Sequence, residues 1–301
     1  MSITSEVPVP VSVGRLQTAL GSALRARVAG QDASVRAARI WDTPGERWFT
    51  EDDPVWRVHA DAAMFPGGVA ALLLQMLHPM AMAGVAGHSG YRGDPWGRLQ
   101  RTSTYLAATT FGTVEHALET IGHVRDIHER VRGKDALGRS YHASDPHLLR
   151  WVHVAEVRSF LQAYQAFARR PLTEDEADTY VAQAGVSAAH LGVLDPPGSV
   201  AALEEQLLAY RGELAATEAA RDAARFLLTE PPLPVATRPG YWAIAAGGLA
   251  VLPRWARVEL GLPASPALSR TLLRPLGRAS TSTVRWAMAG VARDREQDAA
   301  A

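Results

Sequence analysis

"AAMFPGGVAALLLQMLHPMAMAGVAG", residues 62–87, contains no Asp, Glu, Lys or Arg. A run of this length is long enough to span a bilayer, so its reading decides between a membrane protein and a soluble one. Pro66, two glycines, Gln75 and the His78-Pro79 pair interrupt it. A helix that is apolar on every side is equally suited to the centre of a large soluble core. We read residues 66–86 as such a core helix and expect no membrane contact. The later run "YWAIAAGGLAVLP", residues 241–253, is too short to span.

The rest of the chain supports that choice. Its 301 residues are 47% hydrophobic, enough for one large domain with a proper core. The 31 basic and 31 acidic residues are interspersed and give a formal net charge of zero. Nucleic acid and anionic membrane both favour a clustered basic surface, so neither is expected as a partner. Cysteine is absent, which excludes disulfides, iron–sulfur clusters, thiolate haem ligation and cysteine nucleophiles. The first twenty residues lack a charged segment followed by a sustained apolar run, so the expected location is cytoplasmic.

Helical signals recur along the whole length. An amphipathic helix over 13–29 leads into a polar connector reaching about Pro54. After the apolar helix comes the glycine-rich loop "GHSGYRGDPWG", and Asp94-Pro95 opens a helix to Phe111. Thr113 is placed to cap a further helix, with Gly133 closing it. Residues 133–144 read as loop, and Asp145-Pro146 starts the long helix "DPHLLRWVHVAEVRSFLQAYQAFA". "TEDE", residues 173–176, is a capping box. Further helices fit 199–229, 240–261 and about 265–290. The expected fold is all-α, a single large multi-helix globular domain.

Several catalytic signatures are absent. "GHSGY" places Tyr91 where the last glycine of a nucleophile elbow belongs, and no strand precedes it. No HExxH, Walker loop or G-x-G-x-x-G occurs, and no histidine follows a glutamate by three residues. What remains are three helical arrays. Arg98, Arg101 and Thr102 stand at i, i+3 and i+4, projecting from one face. Ala117, Ile121, Val124, His128 and Val131 form an apolar stripe that contains an imidazole. Leu149, His153, Glu156 and Phe160 form another. A buried imidazole requires a partner, either a protein group or a metal. Glu156, one turn away, is expected to satisfy His153. The stripe of His128 offers nothing, so its partner must come from outside its helix.

The order of these pieces resembles a known family. "HP" at 78, "GRLQRT" at 97–102, "HERVRG" at 128–133 and "YHASDPHLLRWVH" at 141–153 together resemble the rubber-oxygenase catalytic domain, the family of latex clearing protein and MpaB-type oxygenases. The similarity runs from about Trp48 to Pro263. It divides the chain into an N-terminal helix and connector (1–47), an oxygenase-like haem domain (48–263), and a C-terminal helix with a disordered tail (264–301). Members are all-helical proteins holding haem b, and the rubber-cleaving ones split carbon–carbon double bonds with dioxygen. The resemblance implies His128 as the haem-iron ligand, with Arg132 four residues on beside a propionate or supporting the helix. It implies Arg98, Arg101 and Thr102 as the distal motif, arginine replacing lysine at 101. His153 is a further candidate for binding the cofactor. Two departures stand out. Arg125 replaces a second histidine, and the position of the family's catalytic glutamate falls near Met82.

The implied activity is therefore a haem-dependent oxygenase or oxidase using dioxygen on a small apolar or natural-product substrate. The alternatives are a haem-binding sensor or carrier without turnover, and a haem-free helical protein that binds a ligand. A homo-oligomer is left open.

Overall fold

The computed structural model describes residues 13–30, 33–88 and 92–300. Its helices are α1 (Val13–Ala29), α2 (Ala33–Trp41), α3 (Pro54–Ala60), α4 (Met64–Gln75), α5 (Pro79–His88), α6 (Pro95–Phe111) and α7 (Val114–Arg130). A hairpin of β1 (Arg132–Lys134) and β2 (Ser140–His142) follows. Next come α8 (Pro146–Phe167), α9 (Glu174–Leu191), α10 (Val200–Ala209), α11 (Glu218–Thr229), α12 (Arg238–Val251), α13 (Arg254–Glu259), the single turn α14 (Pro266–Leu268) and α15 (Arg274–Ala300). The all-α expectation is met.

The apolar stretch lies where a core helix belongs, but it is two helices. α4 ends at Gln75, Pro79 begins α5, and the two meet at 108°. Proline removes a backbone donor and disfavours helical geometry at the residue before it, so the chain cannot run straight through His78. The free carbonyls at the break are taken up from elsewhere. Trp151 Nε1 donates to the Gln75 carbonyl at 3.0 Å, and the Ala215 amide donates to the Leu77 carbonyl at 2.9 Å. No single helix among the described residues is long and apolar enough to cross a membrane.

α4 packs along α8 and α12. The contact is close because Gly67 has no side chain: a Cβ there would lie 2.9 Å from Phe160 Cδ1. Leu73, Leu74, Leu77, Trp151, Leu161 and Tyr180 are fully buried around this axis and form the centre of the main core. α12 in turn packs on α15 at a point where Gly247 and Gly277 meet, a Cβ on Gly277 falling 2.7 Å from the Gly247 Cα. α15 also packs along α1. Arg285 fastens α15 to the α3–α4 junction through two bonds to Asp61, at 2.8 and 3.1 Å, and a third to the Phe167 carbonyl at 3.2 Å.

Local signals in the sequence are borne out at most helix starts. The side chains of Asp94, Thr113 and Asp145 accept from Gly97, His116 and His147 amides, and Thr173 with Glu176 forms the full capping box. Five expectations need correction. The polar connector before Pro54 contains α2, a nine-residue helix. The helix carrying His128 ends at Arg130 rather than Gly133, and residues 132–142 are a β-hairpin, not loop. That hairpin is closed by Asp135, whose carboxylate accepts from the Leu137 and Arg139 amides and the Arg139 side chain. Residues 199–229 are broken by a 3-10 turn (Tyr210–Gly212) and an extended segment before Thr217 caps α11. Residues 240–261 divide at Pro253 into α12 and α13.

Candidate functional site

Five elements turn polar side chains toward one another inside the fold. α8 contributes His153 and Glu156, α4 contributes Gln75, α3 contributes His59, α6 contributes Tyr105 and Thr110, and α9 contributes Tyr180 and Ser187. Gln75 lies beside the Glu156 carboxyl and Ser187 beside the Tyr105 hydroxyl, while Gln75 Nε2 donates to the Val152 carbonyl at 3.4 Å. His59 Nδ1 lies 2.7 Å from Thr110 Oγ1, and its ring meets those of Phe160 and Tyr180 edge-on at 5.7 and 5.9 Å. His59, His153 and Glu156 are half-buried, each keeping more accessible surface than the packed core beside it. A group that is deep and still accessible faces a recess, not a packed neighbour.

Burial sets the electrostatics of this recess. Loss of solvation pushes the Glu156 carboxyl up to about 7, against a smaller opposing effect of the nearby Gln75 amide. The same desolvation holds the His59 and His153 imidazoles down at about 4, so both are neutral at physiological pH. Burial also raises the hydroxyls of Tyr105 and Tyr180 above the ordinary tyrosine range, with Glu156 adding to both shifts. The result is a set of neutral donors and acceptors around one carboxyl that exchanges its proton near neutrality.

The structure gives each expected residue a definite place. His153 stands one turn before Glu156 on the same face of α8, but Glu156 does not satisfy it: His153 Nε2 is buried with no hydrogen-bond partner. His128 is half-buried on α7, which packs against α6 and α9, and its Nδ1 is likewise buried without a partner. Desolvation lowers its pKa, opposed by Glu129. Arg98, on α6, is mostly enclosed by protein, and burial followed by the nearby Arg101 lowers its pKa. Guanidinium remains charged at any ordinary pH, so this is a cation held in a poorly solvated position. Arg101 and Thr102 are exposed: Arg101 Nη1 donates to Asp94 at 3.2 Å, and Thr102 Oγ1 donates to the Arg98 carbonyl at 3.1 Å. Arg132 is exposed on β1, one residue beyond the cap of α7, and its carbonyl lies 3.2 Å from His88 Nε2. Met82, in the region of the missing glutamate, is buried in the main core.

The recess also holds residues that sequence reasoning passed over. Glu156 was read as a partner for His153, whereas it is the interior carboxyl. Its signal was present, since it lies on the same stripe as Leu149 and Phe160. His59, Tyr105 and Tyr180 carry no such signal, because each belongs to a different helix. Among the described residues, His78, His147 and Glu213 form a separate group with metal-ligand geometry.

Compared with protein families, residues 56–286 match the one described as ER-bound oxygenase mpaB/B'/Rubber oxygenase, catalytic domain. No curated protein and no solved structure matched the chain.

Proposed function

The chain belongs to the mpaB/rubber-oxygenase catalytic-domain family and is thus an oxygenase-type enzyme, and from that premise we propose that it works with haem b on a small apolar substrate in the recess of Glu156 and His153. One observation carries the cofactor reading. Among the described residues four imidazoles, His78, His116, His128 and His153, keep a buried ring nitrogen with no hydrogen-bond partner, and His128 and His153 are the two on the apolar stripes singled out in the sequence. Leaving such an atom unsatisfied costs about 1–3 kcal/mol, and neutral imidazole nitrogen is the donor that haem iron takes. The donor chemistry fits the group. The absence of cysteine also rules out thiolate ligation.

His128 is the residue assigned to the iron, and His153 lines the recess and is the alternative ligand. Haem b, when bound, supplies the redox chemistry through which dioxygen reacts. The protein's own residues do the remaining work. Arg98 supplies paired donors and a positive charge for a carboxylate, as haem propionates require. Glu156, with a pKa of about 7, exchanges its proton at small cost near neutral pH. Gln75 lies beside that carboxyl, and Phe160 presents an apolar wall beside His59. The exposed positions of Arg101, Thr102 and Arg132 make them rim residues in this reading, acting on the cofactor's polar edge or on the shape of the entrance.

The test is reconstitution of the purified full chain with haem b, followed by desalting and absorption spectra in the oxidised and reduced forms. A stoichiometric Soret band that survives desalting is expected. Its absence would refute the cofactor reading while leaving the family assignment in place.

A further inference from the structure

At the α4–α5 break, beyond Gln75, three chain segments bring two histidines and a glutamate together. His78 stands at the α4–α5 break, His147 in the first turn of α8, and Glu213 just after the 3-10 turn Tyr210–Gly212. His147 Nε2 is 2.8 Å from Glu213 Oε2, and His78 Nε2 is 3.5 Å from the same oxygen. The first contact is a hydrogen bond. The second lacks hydrogen-bond geometry, and both ring nitrogens of His78 are left without a partner. His78 is only 1% exposed. A pairing of His147 with Glu213 explains two of these residues as an ordinary surface contact. It does not explain a fully buried imidazole facing the same carboxylate with nothing to bond.

We propose that His78, His147 and Glu213 bind a divalent first-row transition-metal ion of the zinc type. Ligand nitrogens and oxygens sit about 2.0–2.2 Å from such an ion, which places them about 2.8–3.6 Å from one another. Both measured separations to Glu213 fall in that range, and all three ligand atoms lie within 4.8 Å of one another. Two imidazoles and one carboxylate are a recurrent donor set for zinc and for iron(II), whereas magnesium and calcium favour all-oxygen sites.

The surroundings support a bound ion. Tyr210 Oη donates to the His147 carbonyl at 2.8 Å and lies 3.5 Å from His147 Nδ1. That arrangement lets Nδ1 carry its proton toward the tyrosine and leaves Nε2 free to ligate, the outer-partner role usual for metal-bound histidines. The Ala215 amide, bonded to the Leu77 carbonyl at 2.9 Å, locks the segment carrying Glu213 to the one carrying His78. Beside His147 and Glu213 a solvent-open hollow of about 90 Å³, lined also by Arg150, Gln206, Ala209 and Tyr210, leaves room for a water or small anion on the metal. Three protein ligands with an open position beside a cavity are the pattern of a reactive, rather than a purely structural, site.

This inference does not rest on the haem reading, and its test needs no turnover. The tag-free full chain is stripped with chelator and titrated calorimetrically with Zn²⁺, and in parallel with Mg²⁺. One equivalent of Zn²⁺ should bind, with no comparable Mg²⁺ uptake. His147→Ala and Glu213→Gln, both at solvent-exposed positions that leave the core intact, should each weaken Zn²⁺ by more than the ~10–100-fold that loss of an outer partner costs. Helical content of each variant is checked by circular dichroism. The proposal is overturned if the folded wild-type chain takes up no zinc, or if both folded variants bind it as tightly as wild type.

Discussion

Replacing Glu156 by glutamine removes one titrating proton from the interior while preserving the side chain's shape. In the folded chain the carboxyl titrates at about 7, against an ordinary value of 4.5, because burial disfavours the charged form. Between those values the folded state holds a proton that the unfolded state has released. Wild-type stability therefore declines as pH climbs from about 4.5 to about 7, and the loss is complete above that. A separation of about 2.5 pH units, at ~1.36 kcal/mol each, corresponds to on the order of 3 kcal/mol. Water in the recess would relieve part of this, so the figure is an upper value. Glutamine carries no such penalty. Glu156→Gln should match wild type near pH 4.5 and exceed it by up to ~3 kcal/mol at pH 8, equivalent to roughly 5–10 °C in Tm for a chain of this size. Urea unfolding of both haem-free proteins, followed by circular dichroism at four or five pH values, measures the difference curve directly. A stability gap that stays flat between pH 5 and pH 8 would show that Glu156 is not a desolvated carboxyl. In the haem-loaded enzyme the same substitution should retain the absorption spectrum while lowering turnover, since glutamine cannot donate the proton.

His128→Ala should abolish the native haem spectrum, with partial recovery on adding imidazole, whereas His153→Ala should keep haem bound with a perturbed spectrum; a reversed pair of phenotypes moves the iron to His153. Arg98→Ala should weaken haem retention by about 10–100-fold, the equivalent of the ~1.5–3 kcal/mol of a charge-assisted bond, at unchanged helicity. Retention equal to wild type would remove Arg98 from the cofactor's surroundings. Gly277→Ala forces a methyl against the Gly247 Cα at 2.7 Å and the Phe167 ring at 2.7 Å, so thermal unfolding should report a loss of about 1–3 kcal/mol. Wild-type stability in that variant would mean that α12 and α15 are not closely packed there.

What the sequence determined by itself is whatever depends on neighbours a few residues apart. Caps at Asp94, Thr113, Asp145 and Thr173 are local hydrogen bonds, and they stand where the residue types place them. The all-α class follows from periodicity and composition, and the family was legible in the order of short motifs from His78 to His153. Shorter elements escaped, since the nine residues of α2 and the three-residue strands of the hairpin are too brief for a period to show. The bend at His78 was signalled by Pro79, but its use was not, because the groups that take up the freed carbonyls come from residues 151 and 215. Tertiary structure alone decided which polar groups meet. Periodicity assigned Glu156 to His153 as its partner one turn away, while packing leaves His153 Nε2 without a partner and sets Glu156 beside Gln75, a residue 81 positions earlier. His78, His147 and Glu213 were separate residues in separate segments until the α4–α5 break and the turn after α10 brought them within 4.8 Å. A helix period relates side chains only along one helix; a buried carboxyl and a metal-ligand set are properties of the space between several.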